Sequence, residues 1–263
     1  MLEVGRLRVV PVSDGLARLP PGYFGNVDWR RHRALLGPGG TLDLPIGTFL
    51  VHGNGRTVLV DAGVGPLRDD TWLGGELPAG LAAAGVAPED VDLVICTHLH
   101  MDHVGWLLAD GAPFFPRATV RFGAGDWDHF VTRRAGAERT WRTMEALAAA
   151  GRLDPVAGDG EPLAAGITAR LTPGHTPGHL SLVLASGTDR AYLLGDAVHC
   201  PAQLQEPDWV NLSDVDPALA AATRAALWEE LERGGHPFTA AHFPGLAFGR
   251  LLRGQGRRFV AVG

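Results

Sequence analysis

The sequence predicts a mixed α/β fold in which sheets pack together and helices lie outside. Strand-like segments alternate with helical ones in two successive halves of the chain, the usual arrangement for such layers. The 263 residues are 46% hydrophobic and 20% charged, which is enough for a substantial core. Because no linker or solenoid-length repeat is visible, we expect a single domain over residues 1–263.

Turn signals divide the chain into short strands. Apolar and β-branched segments predict the strands, and Gly, Pro, Asn or Asp between them predicts the turns. In order, strands are expected at residues 7–11, 47–52, 57–61, 91–96, 118–122, 167–171, 180–185, 190–194, 248–252 and 257–262. Hairpin turns are expected at residues 53–55, 186–188 and 254–256. Residues 15–45 show no clear period and predict a long loop.

Three helices are predicted from their composition and their end signals. Residues 77–84 and 138–150 are rich in Ala or Leu, and each segment is followed by a Gly, which commonly ends a helix. Asp216 followed by Pro217 is typical of a helix start. This third helix is expected to run to about residue 233, before two consecutive glycines.

The motif Thr-His-Leu-His-Met-Asp-His at residues 97–103 is the strongest functional signal in the chain. Imidazole nitrogens and carboxylate oxygens are ligands that divalent transition metals prefer. Four such groups this close together would crowd a single tetrahedral ion. They can serve two neighbouring ions if alternate side chains point to different sides, so the motif predicts a two-metal site.

Three further candidate ligands follow strand-like segments elsewhere. His179 closes Pro-Gly-His-Thr-Pro-Gly-His at residues 173–179, Asp196 follows residues 191–195, and His242 follows residues 238–241. Strand ends that feed loops are where rigid scaffolds present functional side chains. We therefore expect these loops to meet on one rim, with the nearby His236 as an alternative to His242.

These motifs resemble those of the metallo-β-lactamase superfamily over residues 47–249. The family signature is HxHxDH, followed by a later His, an Asp and a final His. The resemblance implies a four-layer αββα sandwich with two metal ions. Asp61, in the early strand–Asp turn of the family, is expected to be structural, either as a turn residue or as a hydrogen-bond acceptor that orients a ligand. The implied ligands are His98, His100 and His179 for one ion, Asp102, His103 and His242 for the other, and Asp196 as the bridge.

The resemblance implies metal-dependent hydrolysis. Two ions about 3.5–4 Å apart can share a water whose pKa falls towards neutrality, which yields a hydroxide nucleophile. The segments around Asp196 and His242 look most like methyl parathion hydrolase-like and lactonase-like members. The expected substrates are therefore lactones, carboxyl esters or organophosphate triesters, and the expected metal is zinc, although manganese, iron or cobalt suits the same ligands. The alternatives are a non-catalytic metal-binding or ligand-sensing protein and an iron-dependent oxidative enzyme.

Asp102, Asp196 and His199 are the predicted catalytic residues. In the acyl-homoserine lactonases a Tyr three residues after the bridging Asp contacts the substrate, whereas this chain has His199 there. His199 either donates a proton or hydrogen bond to the substrate or lies behind the site. Cys200 is either a buried thiol or close to the site.

An apolar substrate pocket is predicted from aromatic residues near the motifs. Aromatic side chains around a metal site favour a hydrophobic acyl or aryl substrate, and ordinary packing is the alternative for each of them. An aromatic N-terminal loop would also suit a homodimer contact. The predicted pocket residues are Phe24, Trp29, Phe49, Trp106 and Trp209.

Charge and hydropathy argue against several other partners. The formal net charge of −6 disfavours a nucleic-acid surface. The N-terminal residues lack the apolar core of a signal peptide, and no apolar stretch is long enough to cross a bilayer. The two cysteines fit a reducing compartment. These features predict a cytoplasmic protein.

Overall fold

A computed structural model describes residues 1–25, 27–206, 208–252, 254 and 256–262. The strands are β1 (Leu2–Val4), β2 (Leu7–Leu19), β3 (Leu42–Gly53), β4 (Arg56–Val60), β5 (Trp72–Leu73), β6 (Leu93–Ile95), β7 (Leu108–Ala109), β8 (Ala112–Pro113), β9 (Thr119–Gly123), β10 (Leu153–Val156), β11 (Pro162–Ala164), β12 (Ile167–Leu171), β13 (Leu180–Ser186), β14 (Asp189–Leu193), β15 (Phe238–Thr239), β16 (Gly249–Leu252) and β17 (Arg258–Ala261). The α-helices are α1 (Leu77–Ala83), α2 (Met101–Val104), α3 (Glu138–Ala149), α4 (Ala202–Gln205) and α5 (Pro217–Gly234).

Two large sheets form the centre of the fold. The first has the order β1-β2-β3-β4-β6-β9-β10, with β5 paired to β2, and the second runs from β11 to β17 in chain order. Strands β4, β6, β9 and β10 pair in parallel, as do β14 and β15, while the other strand pairs within these two sheets are antiparallel. Within the described residues, no helix is both long and apolar enough to cross a membrane.

Three apolar clusters separate four layers. Alternate residues of a strand point to opposite faces of a sheet. In β3, Leu50 therefore packs towards α1 and α3, while Phe49 and Val51 pack between the two sheets. On the far side, α5 packs against the second sheet through Trp228 and Leu231. The layers are helix, sheet, sheet and helix, as the predicted αββα sandwich requires.

Most of the predicted elements are present at nearly the predicted bounds. The 53–55 hairpin turns at Asn54 and Gly55, whose φ values of 52° and 74° match the turn that two-residue hairpins favour. Asp216 accepts a hydrogen bond from the Leu219 backbone N–H at 2.9 Å and caps α5. In the predicted turn at 254–256, Gln255 lies outside the described residues.

The predicted loop over residues 15–45 is shorter than expected. Strand β2 continues to Leu19 and β3 begins at Leu42, and the two pair throughout apart from a register shift between Ser13 and Leu16. The shift is a bulge, which bends the strand and redirects the side chains at that point. Sequence periodicity misses this strand because the bulge interrupts the alternation of apolar and polar residues.

Asp14 lies at the bulge, and its buried carboxylate accepts hydrogen bonds from several loops. One oxygen accepts from the backbone N–H groups of Val64 and Gly65 at 2.8 and 3.0 Å. The other accepts from the Leu77 N–H at 2.7 Å and the Trp106 indole at 2.9 Å. These bonds hold the turn after β4 and the start of α1 against the loop that follows residues 98–103.

The variant Asp14→Asn should lose about 2–4 kcal/mol of unfolding free energy, because an amide NH₂ would face donors that need an acceptor. Urea denaturation would measure the loss. Asp69→Asn is the matched control, since Asp69 also accepts two backbone N–H bonds but on an exposed turn. Equal effects of the two substitutions would contradict the role assigned to Asp14.

Candidate metal centre

Five chain segments bring the predicted ligands to one edge of the two sheets. Asp61 follows β4 and the 98–103 motif follows β6, and these two strands are parallel neighbours. Asp196 follows β14 and His242 follows β15, which are parallel neighbours in the second sheet. Because parallel strands end at the same edge, their carboxyl-terminal loops meet. The turn between β12 and β13 supplies the fifth segment.

The first group of ligand atoms consists of three imidazole nitrogens. His98 Nε2 lies 2.9 Å from His100 Nδ1, which lies 3.0 Å from His175 Nε2. Nitrogens bound to one tetrahedral zinc ion are about 3.3 Å apart. The three rings therefore already have a spacing close to that of a metal site.

The second group combines two imidazoles with Asp102. Its Oδ2 lies 3.7 Å from His103 Nε2 and 3.6 Å from His242 Nε2. Asp196 lies between the two groups. Its Oδ1 is 3.4 Å from His103 Nε2, while its Oδ2 is 3.1 Å from His242 Nε2 and 3.6 Å from His175 Nε2. The two oxygens of Asp196 thus face both groups.

A hydrogen bond on the outer nitrogen fixes four of the rings. His103 Nδ1 is bonded to Asp61 at 2.9 Å, and His175 Nδ1 is bonded to Asp214 at 2.9 Å. His242 Nδ1 donates to the Pro45 carbonyl at 2.7 Å. The equivalent partner of His98 Nδ1 is the Thr97 hydroxyl at 3.1 Å. Carbonyl and carboxylate oxygens accept, and the Thr97 hydroxyl already donates to Asp61 at 2.9 Å, so these protons sit on Nδ1 and each Nε2 faces the centre. The partnership between Asp61 and His103 agrees with the expected orienting role.

His179 has different neighbours, and here the ligand prediction needs correction. Its Nε2 accepts the Asp196 backbone N–H at 2.9 Å, and its Nδ1 is bonded to the Thr172 hydroxyl at 2.8 Å. Both ring nitrogens are therefore engaged, and the ring braces the loop that carries Asp196. His175, four residues earlier in the same motif, occupies the place that we had predicted for His179.

Burial keeps the first group neutral. It lowers the pKa of His100 to about 3, and it lowers those of His98 and His175 well below their ordinary value. A charged imidazole loses its hydration when it is buried, so the neutral form is favoured. Neutral imidazole is the form that binds a metal ion.

The second group has the opposite electrostatic character. Burial alone would lower the pKa of His103, but the charges of Asp196, Asp61 and Asp102 outweigh it and raise that pKa well above its ordinary value. The pKa of His242 is likewise raised by Asp196 and Asp102 against the effect of burial. This part of the centre therefore favours positive charge.

The residues present fit a pair of divalent cations. Among the described residues, His103 Nε2 and Asp196 Oδ1 are buried without a hydrogen-bond partner, and each such group costs about 1–3 kcal/mol. Ring lone pairs that converge at about 3 Å repel one another, and a cation between them relieves this repulsion. By this geometry, His98, His100 and His175 would hold one ion, Asp102, His103 and His242 the other, and Asp196 both.

A cavity of about 210 Å³ opens directly onto this cluster. His100, Asp102, Asp196 and His242 lie along its inner wall. Most of the remaining lining is apolar, and two hydroxyl-bearing side chains supply a polar patch. These other lining residues are Ala17, Leu19, Tyr23, Leu44, Trp72, Met101 and Ser213.

The five aromatic residues predicted for the pocket lie elsewhere. Phe49 packs against Phe248 between the sheets, and Trp106 donates to Asp14. Phe24, Trp29 and Trp209 pack against one another as tilted rings, at centroid separations of 4.8–6.0 Å. In the described part of the chain, none of the five lines the cavity. The order of residues along the chain did not distinguish a packed aromatic from an exposed one.

The sequence left two readings open for each of His199, Cys200 and His236, and the positions of these residues distinguish the readings. His199 is 1% exposed, its Nε2 lies 3.1 Å from Asp196 Oδ2, and its ring stacks on His242. It therefore lies behind the Asp196 carboxylate and not on the cavity wall. Cys200 is a buried thiol packed with Phe24 and Trp209. His236 packs near Tyr192, away from the metal cluster.

Comparison with known proteins shows the family. Residues 43–233 match the model of the metallo-beta-lactamase superfamily, and the chain belongs to that superfamily. An N-acyl homoserine lactonase of Bacillus thuringiensis is 27% identical over 220 residues, which span 75% of this chain and 81% of that enzyme. Mouse Metallo-beta-lactamase domain-containing protein 1 is 50% identical over 71 residues, which span 26% of this chain but only 25% of the mouse protein.

Two solved structures share the whole fold. AidC, a dizinc quorum-quenching lactonase in complex with a product, superposes with a TM-score of 0.86 at 20% identity, covering 100% of this chain and 96% of its own. AbOPH, a hydrolase of the beta lactamase superfamily, superposes with a TM-score of 0.85 at 24% identity, with the same coverage of both chains. At these identities the likeness concerns the fold.

Replacing His175 with Ala should remove one of the two metal equivalents and lower any metal-dependent kcat/KM by more than about 100-fold. His179→Gln should retain both equivalents and lose stability instead, because His179 only braces the Asp196 loop. Elemental analysis of metal-replete protein measures the stoichiometry. Loss of a metal in His179→Gln but not in His175→Ala would restore the original ligand prediction.

The metal-free protein should become less stable as the pH falls from about 6.5 to 3. Burial lowers the pKa of both His100 and His179 to about 3, whereas the unfolded chain has the ordinary value near 6.5. Between these values the unfolded state binds more protons, so acid favours unfolding. Denaturant melts in chelator at pH 7, 6 and 5 measure the trend, and His179→Gln should flatten it. Constant stability down to pH 5 would contradict the neutral state of these rings.

Proposed function

We propose that this metal-dependent hydrolase of the metallo-beta-lactamase superfamily cleaves small lactones and carboxyl esters with two zinc ions, with organophosphate triesters as further substrates. One observation carries the proposal: two ligand groups that share Asp196 form the inner wall of a cavity with an otherwise mostly apolar lining. The curated lactonase relatives and the fold of AidC support the same reading.

The size and lining of the cavity favour small, partly apolar substrates. Typical pockets for drug-sized ligands measure about 300–1,000 Å³, which is larger than the 210 Å³ found here. Leu19, Leu44 and Met101 offer an apolar surface to a short acyl or alkyl chain. The net charge of −6 gives no support to a polyanionic substrate.

Two divalent ions at this site would acidify water and polarise the oxygen of a carbonyl or phosphoryl group. The protein's part is to hold the ligands and restrict the substrate. Asp196 places Oδ1 near His103 and Oδ2 near both His242 and His175, and Asp102 adds a second negative charge beside His103 and His242. The predicted catalytic role of these two carboxylates is thus proposed as metal binding.

His199 is proposed to position Asp196, since its Nε2 faces Asp196 Oδ2 and it lies off the cavity wall. The bridging carboxylate is also held through its own backbone N–H by His179. His179 therefore holds the backbone at Asp196, and His199 lies against its carboxylate. This arrangement suits a role in fixing the metal ligands and does not suit direct proton donation to the substrate.

The alternatives from sequence are a non-catalytic metal sensor and an iron-dependent oxidative enzyme. A cavity that opens onto both ligand groups favours catalysis over a purely structural metal site. Metal identity after native purification separates zinc from a redox-active iron centre. The cytoplasmic location and the homodimer stay predictions.

Metal-replete protein should bind about two zinc ions per chain and hydrolyse a γ-lactone or an aryl ester faster than a β-lactam. Asp196→Ala should lower turnover by more than about 1,000-fold because both ligand groups lose a shared member. Asp69→Ala, which changes an exposed carboxylate, should leave it unchanged. Tight zinc binding without turnover of any lactone, ester, phosphotriester or β-lactam would favour the non-catalytic alternative.

A further inference from the structure

A chain of three polar side chains forms the polar side of the cavity. Tyr23 and Ser213 both line it, and their hydroxyl oxygens lie 2.8 Å apart. The Ser213 hydroxyl in turn lies 2.7 Å from Asn211 Oδ1. None of these three side chains belongs to the candidate metal ligands, and they differ in polarity from the apolar lining.

The direction of these hydrogen bonds is fixed by one backbone group. The Ser213 backbone N–H also points at Asn211 Oδ1, at 2.7 Å. An N–H can bond only to an acceptor, so this atom of Asn211 is its oxygen and not its nitrogen. The Ser213 hydroxyl must therefore donate its proton to the same oxygen.

The direction of the Ser213–Asn211 bond also fixes the direction of the bond between Tyr23 and Ser213. Because the single proton of the Ser213 hydroxyl is used on Asn211, Ser213 can only accept from Tyr23. Tyr23 thus donates its own proton to Ser213 and keeps a free lone pair. Burial raises the pKa of Tyr23 above its ordinary value, and the nearby Asp196 and Asp102 charges act in the same direction, so the phenol stays protonated at neutral pH.

We propose that the Tyr23 oxygen accepts a hydrogen bond from the substrate, and that the enzyme selects lactones or esters that carry an N–H or O–H donor near the scissile carbonyl. This proposal rests on the proposed hydrolase function. A phenol whose proton is already used does not serve as a donor to a developing oxyanion. Tyr23 is therefore a specificity-determining residue, and its effect falls mainly on substrate binding.

The rest of the cavity defines the other half of the substrate. Leu19, Leu44, Trp72 and Met101 line it together with the Tyr23–Ser213 pair. A molecule that fills this space presents an apolar chain to the aliphatic side and a polar donor to the hydroxyl side. A secondary amide between a lactone ring and a short acyl chain has this arrangement, as does a hydroxy-substituted lactone.

The test uses the zinc-loaded enzyme and compares two substrates that differ only in the N–H donor of the amide. One is a γ-butyrolactone with a hexanoylamide next to the carbonyl, and the other is its N-methyl analogue. Loss of one hydrogen bond of about 1 kcal/mol corresponds to about fivefold. Tyr23→Phe should therefore lower kcat/KM for the secondary amide by about five- to tenfold, chiefly through KM, and by less than about twofold for the N-methyl compound.

Tyr192→Phe is the matched control, because Tyr192 is the only other tyrosine in the sequence. Its hydroxyl is bonded to Glu230 and not to the cavity residues, and its removal should leave both kinetic constants unchanged. Ser213→Ala provides a second variant, since it frees the Tyr23 proton. The phenol can then donate as well as accept, so the preference for the secondary amide should become smaller while Tyr23 itself stays in place.

Calorimetric binding of the two ring-opened products to the zinc protein separates the proposals. Discrimination that depends on Tyr23, without turnover of either lactone or of any ester or phosphotriester, would retain this inference and overturn the hydrolase function. Turnover of both lactones with an equal effect of Tyr23→Phe on each would overturn the inference and retain the function. If the protein neither binds nor hydrolyses the pair but turns over an aryl ester, the inference is wrong and the hydrolase function is retained.

Discussion

The site depends on one constraint: the buried imidazoles of His103, His175 and His242 must each be held by the outer nitrogen so that the inner nitrogen can face the centre. Asp61, Asp214 and the Pro45 carbonyl meet this requirement for His103, His175 and His242. An imidazole without such a partner would rotate or change tautomer, and it would leave a buried polar atom unpaired. The outer partners come from different parts of the chain, so the geometry of the centre requires the whole sandwich.

The same constraint explains what the sequence could and could not predict. The 98–103 motif and the strand ends at Asp196 and His242 were recognisable because a dense run of ligands and a strand–loop boundary are local features. The choice between His175 and His179 was not local. Both lie in one Pro-Gly-His repeat, and only the position of the Asp196 backbone N–H against His179 decides between them.

The fold was predictable to a similar extent. Alternating apolar residues and turn signals located most strands, and the Asn54-Gly55 turn and the Asp216 cap behave as their residue types predict. The extension of β2 past its bulge depends on pairing with β3, which sequence periodicity does not report. The prediction of the pocket residues was wrong for a related reason. Aromatic side chains are abundant in cores, and the cavity uses Tyr23 and Trp72 from segments that carry no motif.

One short segment, residues 211–214, connects the metal centre to the polar wall of the cavity. Asp214 fixes His175 and is itself contacted by Arg224 at 3.4 Å and by the Asn211 backbone N–H at 3.3 Å. Asn211 in turn sets the direction of the hydrogen bonds through Ser213 to Tyr23. A shift of this segment would therefore move a ligand and the proposed substrate acceptor together. Arg224 of α5 and Asp214 of this segment form a buried ion pair that opposes such a shift. Separating the two charges inside the protein would leave both without compensation.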